Sequence, residues 1–428
     1  MRIGASLLGL GILLAASATD ARELEFYLEN RIGGDSNVFR REQTSAPGRP
    51  SVKGGAVYEI TPRVTLRDRG DALEYEFTYQ PTYEQFFLLE GNNGVGDVSG
   101  LDHSAFGELS WRVSPSTFVA AEGAYFRQRR VREEITGVVA SDRTLEANDS
   151  NFIERGRGSL DFQRSLNGRL SLTGGYGFDS LDPNEDEQSD TISHRGSLGL
   201  NYALDRHTRV GVTFNLRDRN TSVSIPATTP PPETLTFRSN TRTYDVSLSI
   251  SRSISEHWDL SVAVGPSVLR TEDENSFTPG TTSNDDNSIF AQALSTYRFK
   301  NGELQCAYIR SESGGGGGAA ASSIYDDVSC QAIWTPYREW TFRVEGGWNR
   351  RESVPSNFLS GLEVRTDRIW AAASATYRFS NRLSVIGNLR WADQAQDEFR
   401  FFFVNRTVLR DFILGRVAVR YTFEPYVF

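Results

Sequence analysis

The chain is 428 residues long with a formal net charge of −9 and a pI near 5.2, a balance that argues against a nucleic-acid partner, which needs a basic face. Mean hydropathy is −0.43, hydrophobic residues make up 38%, and past the N-terminal segment no apolar window reaches the about 18 residues of a membrane helix. Two options remain: a soluble exported chain, or a barrel whose apolar residues are dispersed by strand alternation.

In chain order, Met1-Arg2, the apolar run at 5–16 and the small residues through Ala18 and Ala21 predict a secretory signal peptide over 1–21, cleaved after Ala18 or Ala21. The run is too short to cross a bilayer as a helix. A single Met and two Cys suit an exported chain. Of the 46 cationic residues only Lys53 and Lys300 are lysines. Genome composition accounts for that bias, and so does selection for guanidinium groups, whose planar fork suits carboxylate, phosphate and sugar hydroxyls. The remainder, 22–428, shows no linker, no change of composition and no sustained helical periodicity, so one domain is expected.

That domain reads as amphipathic segments of about ten residues joined by alternately long and short connections, the grammar of an all-β transmembrane antiparallel up-and-down barrel. The first segment sets Leu24, Phe26 and Leu28 on one face and Glu23, Glu25, Tyr27 and Glu29 on the other. The second passes through Pro62 and turns at Arg67-Asp-Arg-Gly-Asp71 into a third, with Leu73, Tyr75, Phe77 and Tyr79 outward and Glu74, Glu76, Thr78 and Gln80 inward. Further short turns are expected near Ser114-Pro-Ser116, Leu166-Asn-Gly168, Asp205-Arg-His207, Ser255-Glu-His257, Lys300-Asn-Gly302, Thr335-Pro-Tyr337 and Ser380-Asn-Arg382. Longer polar loops fall near 31–54, 88–100, 130–149, 181–190, 220–234, 271–285, 311–323, 351–361 and 394–408. Nine long and eight short connections give 18 strands, with 16 as the alternative because the first pair is the weakest. Both termini then lie on the short-turn side, periplasmic in this class, with the long loops extracellular. Aromatics gather beside the short turns, before them at Trp111, Tyr202, Tyr297 with Phe299, Trp334 and Tyr377 with Phe379, and after them at Phe118, Trp258 and Trp340. Such rings belong at the membrane–water interface.

The last strand, Val417-Ala-Val-Arg-Tyr-Thr-Phe423, alternates strictly and is followed by Glu-Pro-Tyr-Val-Phe428. It resembles the C-terminal signal by which the barrel assembly machinery takes up bacterial outer-membrane barrels, with Tyr421, Phe423 and Phe428 as its aromatics. Pro425 departs from that pattern, since proline is not tolerated within a ladder. Either the strand stops near Phe423 with a short tail, or a bulge near Pro425 resets the register.

A barrel of 16 to 18 strands is wide enough for an aqueous channel. By alternation the inward positions include Glu74, Glu76 and Glu84 on the third strand, Arg209, Arg217 and Arg219 on the ninth, and Arg343 and Glu345 on the fifteenth. Asn388 and Arg390 on the seventeenth strand and Arg416 and Arg420 on the last join them as pore-lining candidates. Mixed-sign walls hold hydrated solutes and set ionic selectivity; the same residues also serve simply to solvate the interior. Catalysis is not expected: His103, His194, His207 and His257 are the only histidines, two of them at short turns, and no nucleophile elbow occurs. No His/Cys cluster points to a metal and no motif to a cofactor. In the acidic loop, Asp182, Asn184 and Asp186 have calcium-loop spacing, but Glu187 stands where an EF-hand needs glycine, so a solvated loop or loose divalent binding near lipopolysaccharide is expected. The glycine run at 314–318 reads as a flexible loop tip. Cys306 and Cys330 flank that loop, outward on consecutive strands, either as a cross-strand disulfide or as two small lipid-facing residues.

The segment Phe26-Tyr-Leu-Glu-Asn-Arg-Ile-Gly-Gly-Asp-Ser-Asn-Val-Phe-Arg40 resembles the opening of the β-barrel porin family associated with bacterial exopolysaccharide systems. Tyr58-Glu-Ile-Thr-Pro62, Tyr75-Glu-Phe-Thr-Tyr79, and Asp102-His103 leading into Leu109-Ser-Trp-Arg112 continue the likeness over the first third. The resemblance implies a Gram-negative outer-membrane barrel, seated among lipid and lipopolysaccharide, that passes a secreted polysaccharide and works with a periplasmic polysaccharide export protein. It carries no catalytic residues. A diffusion porin for small polar solutes and a structural or adhesive barrel with a closed lumen are the alternatives.

Overall fold

The computed structural model describes residues 22–35, 55–88, 98–128, 153–183, 190–226, 234–275, 281–314, 322–354, 364–400 and 404–427. The expected signal peptide, the Asp-Ser-Asn-Val-Phe-Arg box beyond Asp35, the middle of the acidic loop, the glycine run beyond Gly314, and Phe428 lie outside them. Every described element is a strand: β1 (Arg22–Asp35), β2 (Gly55–Arg69), β3 (Leu73–Leu88), β4 (Val98–Ser114), β5 (Thr117–Gln128), β6 (Ile153–Ser165), β7 (Leu170–Pro183), β8 (Asp190–Ala203) and β9 (Thr208–Pro226). The second half comprises β10 (Thr234–Ser255), β11 (Trp258–Asn275), β12 (Thr281–Phe299), β13 (Gly302–Gly314), β14 (Ser322–Tyr337), β15 (Trp340–Val354), β16 (Val364–Arg378), β17 (Leu383–Arg400), β18 (Val404–Thr422) and the two-residue β19 (Tyr426–Val427). Consecutive strands pair antiparallel and β18 returns to β1, so an 18-stranded sheet closes on itself, with β19 continuing the line of β18. The eight short connections hold two to four residues, and the described ends, Arg22 and Val427, lie at their end of the barrel. Eighteen strands about 4.8 Å apart, tilted about 40°, give a backbone cylinder about 35 Å across.

Alternation decides which face is which. On β10 the outward Tyr244, Val246, Leu248, Ile250 and Ile254 are 39% to 63% exposed, while the inward Thr241, Thr243 and Ser247 are buried. Apolar outside and polar inside inverts a soluble protein and is the construction of a membrane-spanning barrel. From Tyr244 to Ile254, rises of about 3.3 Å at about 40° of tilt span about 25 Å, the height of a bilayer's apolar band. The belt ends upward in outward ion pairs, Asp218–Arg242 at 3.6 Å and Arg350–Asp367 at 2.9 Å. Pairing continues above it, because the backbone ladder needs no lipid: β10 runs for 22 residues. The long connections are therefore shorter than expected, with β9 reaching Pro226 and β17 and β18 extending through most of 394–408.

The aromatic girdle forms on the outer face, where Trp258 Nε1–H donates to Ser295 Oγ at 3.0 Å and Trp340 packs on Phe342 and Tyr377. Phe118 does not belong to it. It sits opposite Arg112 and Gln163, on the lumen face: β4 runs on through Ser114, and the register shift between Arg112 and Ser114 pairs Phe118 with the inward Arg112. The turn expected at Thr335-Pro-Tyr337 also moves: β14 runs through Tyr337, which pairs with Trp340 across a bulge. In the turn after β8 the backbone N–H groups of His207 and Thr208 donate to Asp205 Oδ1 at 2.6 and 2.8 Å. The His207 N–H above all holds the Asp205 carboxyl below the usual carboxylate range. Its contribution is present above the unfolded carboxylate pKa and is lost as pH falls through the depressed folded value.

Proline marks two irregularities. Pro62 stands opposite Pro81, and the β2–β3 ladder opens between Ile60–Tyr83 and Val64–Tyr79 because neither ring supplies an N–H. Thr61 with Thr82 (3.1 Å) and Thr65 with Thr78 (3.0 Å) bridge the gap on the lumen side. At the C-terminus Tyr27 faces Thr422 but Leu24 faces Tyr426, so the stretch around Pro425 inserts one extra residue. The register is reset, and Tyr426 joins Tyr421 and Phe423 on the outer face, 65% exposed. Cys306 and Cys330 are direct cross-strand partners on the outer face of β13 and β14, Cα–Cα 4.1 Å, and their sulfurs are bonded.

At the β18–β1 closure a Cβ on Gly33 would fall inside van der Waals contact of the Gly415 carbonyl and of Arg416. Gly33→Val should therefore weaken closure by about 2 kcal/mol, as overpacking does. The closed barrel's heat-modifiable band in unboiled gels should be lost at a clearly lower temperature than in Gly34→Val, where the added atom has room.

Candidate functional site: the barrel lumen

The inner wall is built around the closure. Glu29 on β1 and Glu59 on β2 are 1% and 0% exposed, and each is held by two guanidinium groups. Arg420 Nη2 lies 2.6 Å from Glu29, which Arg31 also engages; Arg31 Nη1 is 3.3 Å from Glu59, which Arg416 engages in turn. Arg416 reaches on to Glu84 of β3 at 3.8 Å. Three carboxylates and three guanidinium groups thus interlock across four strands without net charge. Tyr27 is the hub beside them: the guanidinium groups of Arg63 and Arg420 lie 5.2 and 5.1 Å from its ring centre. Arg63 Nη1 donates to its hydroxyl at 3.0 Å, and that hydroxyl donates to Gln80 Oε1 at 3.4 Å.

Beside the lattice the wall opens. A groove of about 330 Å³ runs over β3, β4 and β5, lined by Thr78, Gln80, Thr82 and Ser104, by the rings of Phe106 and Phe126, and by the charged Arg31, Arg63, Glu76 and Asp102. The two rings meet edge to face at 5.2 Å, and Arg157 of β6 stacks on Phe126 at 5.2 Å. At the lower edge of the groove one register row carries Glu76, Glu108 and Glu122. Arg67 donates to Glu76 at 2.7 and 2.8 Å. Glu108 and Glu122 face each other directly, both exposed to the lumen.

The register places all twelve expected pore-lining residues on the lumen face, but not in one site. Glu84, Arg416 and Arg420 belong to the closure lattice, with Asn388 and Arg390 on the adjoining strand, where Asn388 is the partner of Arg416. Glu74 and Glu76 lie nearer the short-turn end of β3, paired with Arg69 at 3.7 Å and Arg67 at 2.7 Å. Arg209, Arg217 and Arg219 line β9, with Arg217 opposite Arg195. Across the barrel Arg343 donates to Gln331 at 2.5 Å and to Glu345 at 3.2 Å. Alternation alone did not single out Tyr27, Glu29, Arg31 and Glu59, or Phe106 and Phe126; the Glu29-x-Arg31 spacing, two charges on one strand face, was the available signal.

The four histidines lie elsewhere. His103 and His194 are on the outer face, each with Nδ1 hydrogen-bonded to a tyrosine hydroxyl, Tyr79 at 2.8 Å and Tyr176 at 2.7 Å, and His207 and His257 occupy short turns. Among the described residues no group of three or more His, Cys, Asp or Glu is placed to hold a metal ion.

No family model and no curated protein matches the chain. Among solved structures it is similar to the siderophore receptor PiuA from Acinetobacter baumannii, at 10% identity and a TM-score of 0.45 over 93% of this chain and 82% of that one. It is likewise similar to the ferric yersiniabactin uptake receptor FyuA from Yersinia pestis (9%, 0.45, covering 94% and 80%) and the ferric-catecholate import receptor Fiu from E. coli K12 (9%, 0.45, covering 94% and 82%). Likeness at this level carries no argument about cargo. The barrel stands on its own strand pairing, and the comparisons add no support to the exopolysaccharide family that the opening motifs resemble.

The lattice and the open row should respond differently to neutralisation. Glu59→Gln leaves two guanidinium groups around a buried neutral amide and should cost about 3 kcal/mol in detergent unfolding, whereas Glu345→Gln, at a more accessible pair, should cost about 1 kcal/mol or less. Glu108→Gln with Glu122→Gln should leave stability nearly unchanged. In reconstituted bilayers under a salt gradient, the double change should shift the reversal potential away from cation preference.

Proposed function

We propose that this chain is an outer-membrane barrel of a Gram-negative bacterium, exported with removal of residues 1–21, that serves as a passive conduit for a secreted polysaccharide. Both termini and the short turns would face the periplasm, where a polysaccharide export protein delivers the polymer. The observation that carries this reading is the placement of Tyr27, Phe106 and Phe126 on the lumen face among hydroxyls, amides and ion pairs that neutralise one another. Anions, and small solutes without an apolar face, gain little from aromatic faces. A sugar chain gains both ring contact and exchangeable hydrogen bonds, and transport needs each of them to be weak. The quoted opening motifs point the same way.

One observation favours a second reading, a cation-preferring diffusion porin: the exposed, directly opposed Glu108 and Glu122. A strain lacking the gene separates the two. Loss of surface polysaccharide with uptake of a small labelled sugar unchanged supports export; slowed uptake beneath an intact glycan layer rejects it in favour of the porin.

A further inference from the structure

We infer that the groove over β3, β4 and β5 is a discrete subsite for a pyranose unit; this rests on the conduit reading and names where in the lumen the sugar is held. The volume of about 330 Å³ lies at the small end of the about 300–1,000 Å³ of small-molecule sites, so the groove takes a unit of a chain and not a folded partner. Its floor is aromatic. Phe106 is 40% exposed to the lumen, and its edge-to-face contact with Phe126, itself backed by Arg157, fixes both rings. A pyranose offers one face of C–H groups to such a ring and carries its hydroxyls around the edge.

The rim matches that edge. Ser104 carries a hydroxyl and Gln80 an amide, groups that both donate and accept, as sugar hydroxyls do; Thr78 and Thr82 stand behind them, nearly buried, and Arg31, Arg63, Glu76 and Asp102 add charged donors and acceptors. They are also pre-set. Thr78 is bonded to Thr65 at 3.0 Å and Thr82 to Thr61 at 3.1 Å, Ser104 Oγ–H donates to the Gln80 carbonyl at 2.9 Å, and the Gln80 side chain accepts from Tyr27 at 3.4 Å. An apolar solute would forgo the further hydrogen bonds that Ser104 and Gln80 offer, and an anion would gain nothing from the electron-rich ring faces. The site therefore selects a hydroxyl-rich ring.

The test uses the full chain folded in detergent, with cellohexaose as a neutral probe and hexagalacturonic acid as a charged one. Saturation-transfer NMR and titration follow binding to the wild type, Phe106→Leu, Phe126→Leu and Phe290→Leu, the last a lumen-facing ring on β12 across the barrel. Folding is checked by heat-modifiable migration. Where a leucine variant does not fold, Ser104→Trp, which fills the groove and keeps both rings, replaces it. Cellohexaose should saturate through its ring protons and bind the groove variants about fivefold or more weakly, with Phe290→Leu unchanged. Absence of binding of either probe to the wild type, or equal binding by the groove variants and the wild type, overturns the subsite. The deletion strain tests the conduit separately. Sugar bound in the groove while surface glycan persists would keep the subsite and remove the export reading, and lost glycan without groove binding would do the reverse.

Discussion

Closure of the sheet between β18 and β1 is the constraint on which the rest depends. An open 18-stranded sheet in lipid would expose two rows of unpaired backbone groups at several kcal/mol each, so the barrel exists only closed. The backbone ladder at this seam covers only Tyr27 to Asp35 before the register changes at β19. Side chains reinforce it from within: Arg420 and Arg416 of the last strand grip Glu29 and Glu59 of the first two. The first of these pairs joins residues 391 positions apart in the chain. They form only when the last strand arrives, and the lattice therefore belongs to the final step of assembly.

The same lattice shapes the interior. Because its charges cancel locally, the wall from β16 around to β3 offers a passing solute little net field. Trp370, Ala392 and Leu414 pack together there as a small apolar patch. Field and exposed ring surface lie further round, on β4 to β6, where Glu108, Glu122, Phe106 and Arg157 reach the lumen. The lumen is thus chemically lopsided, with one wall that holds the barrel shut and another that can meet cargo.

Much of this was legible in the sequence. Strand number and face assignment followed from alternation, since lipid on one side and water on the other imposes a period of two wherever the chain crosses the membrane. The signal fails above the apolar belt. The upper parts of β9, β10 and β17 carry polar residues at successive positions, so their pairing continues without a sustained hydrophobic alternation, and they read as loops. Phe118 was misplaced for a related reason, because a bulge of one residue exchanges inside for outside. At the C-terminus Pro425 made two outcomes equally open, and the partner strand decided between them, through the pairing of Leu24 with Tyr426. Which inward charges would meet was not legible at all: Glu59 and Arg416 share a wall only because the sheet closes.

Under the export reading, a lopsided lumen answers a problem specific to polymers. A chain of identical units that advances by one repeat gives up a set of contacts and regains the same set, so its binding free energy along the pore is flat however many sites it touches. What remains is the barrier at each step, set by the contacts broken before they are remade. A single aromatic subsite worth about 1 kcal/mol slows a step roughly fivefold, whereas several equal subsites released together would multiply that factor each time. One groove, set beside a charge-cancelled lattice, keeps the synchronous loss to a single subsite. The same economy explains why the strongest interactions of the lumen are made between protein groups: Glu29 is held by Arg31 and Arg420, and Glu59 by Arg31 and Arg416, so these carboxylates have little left with which to hold the passing chain.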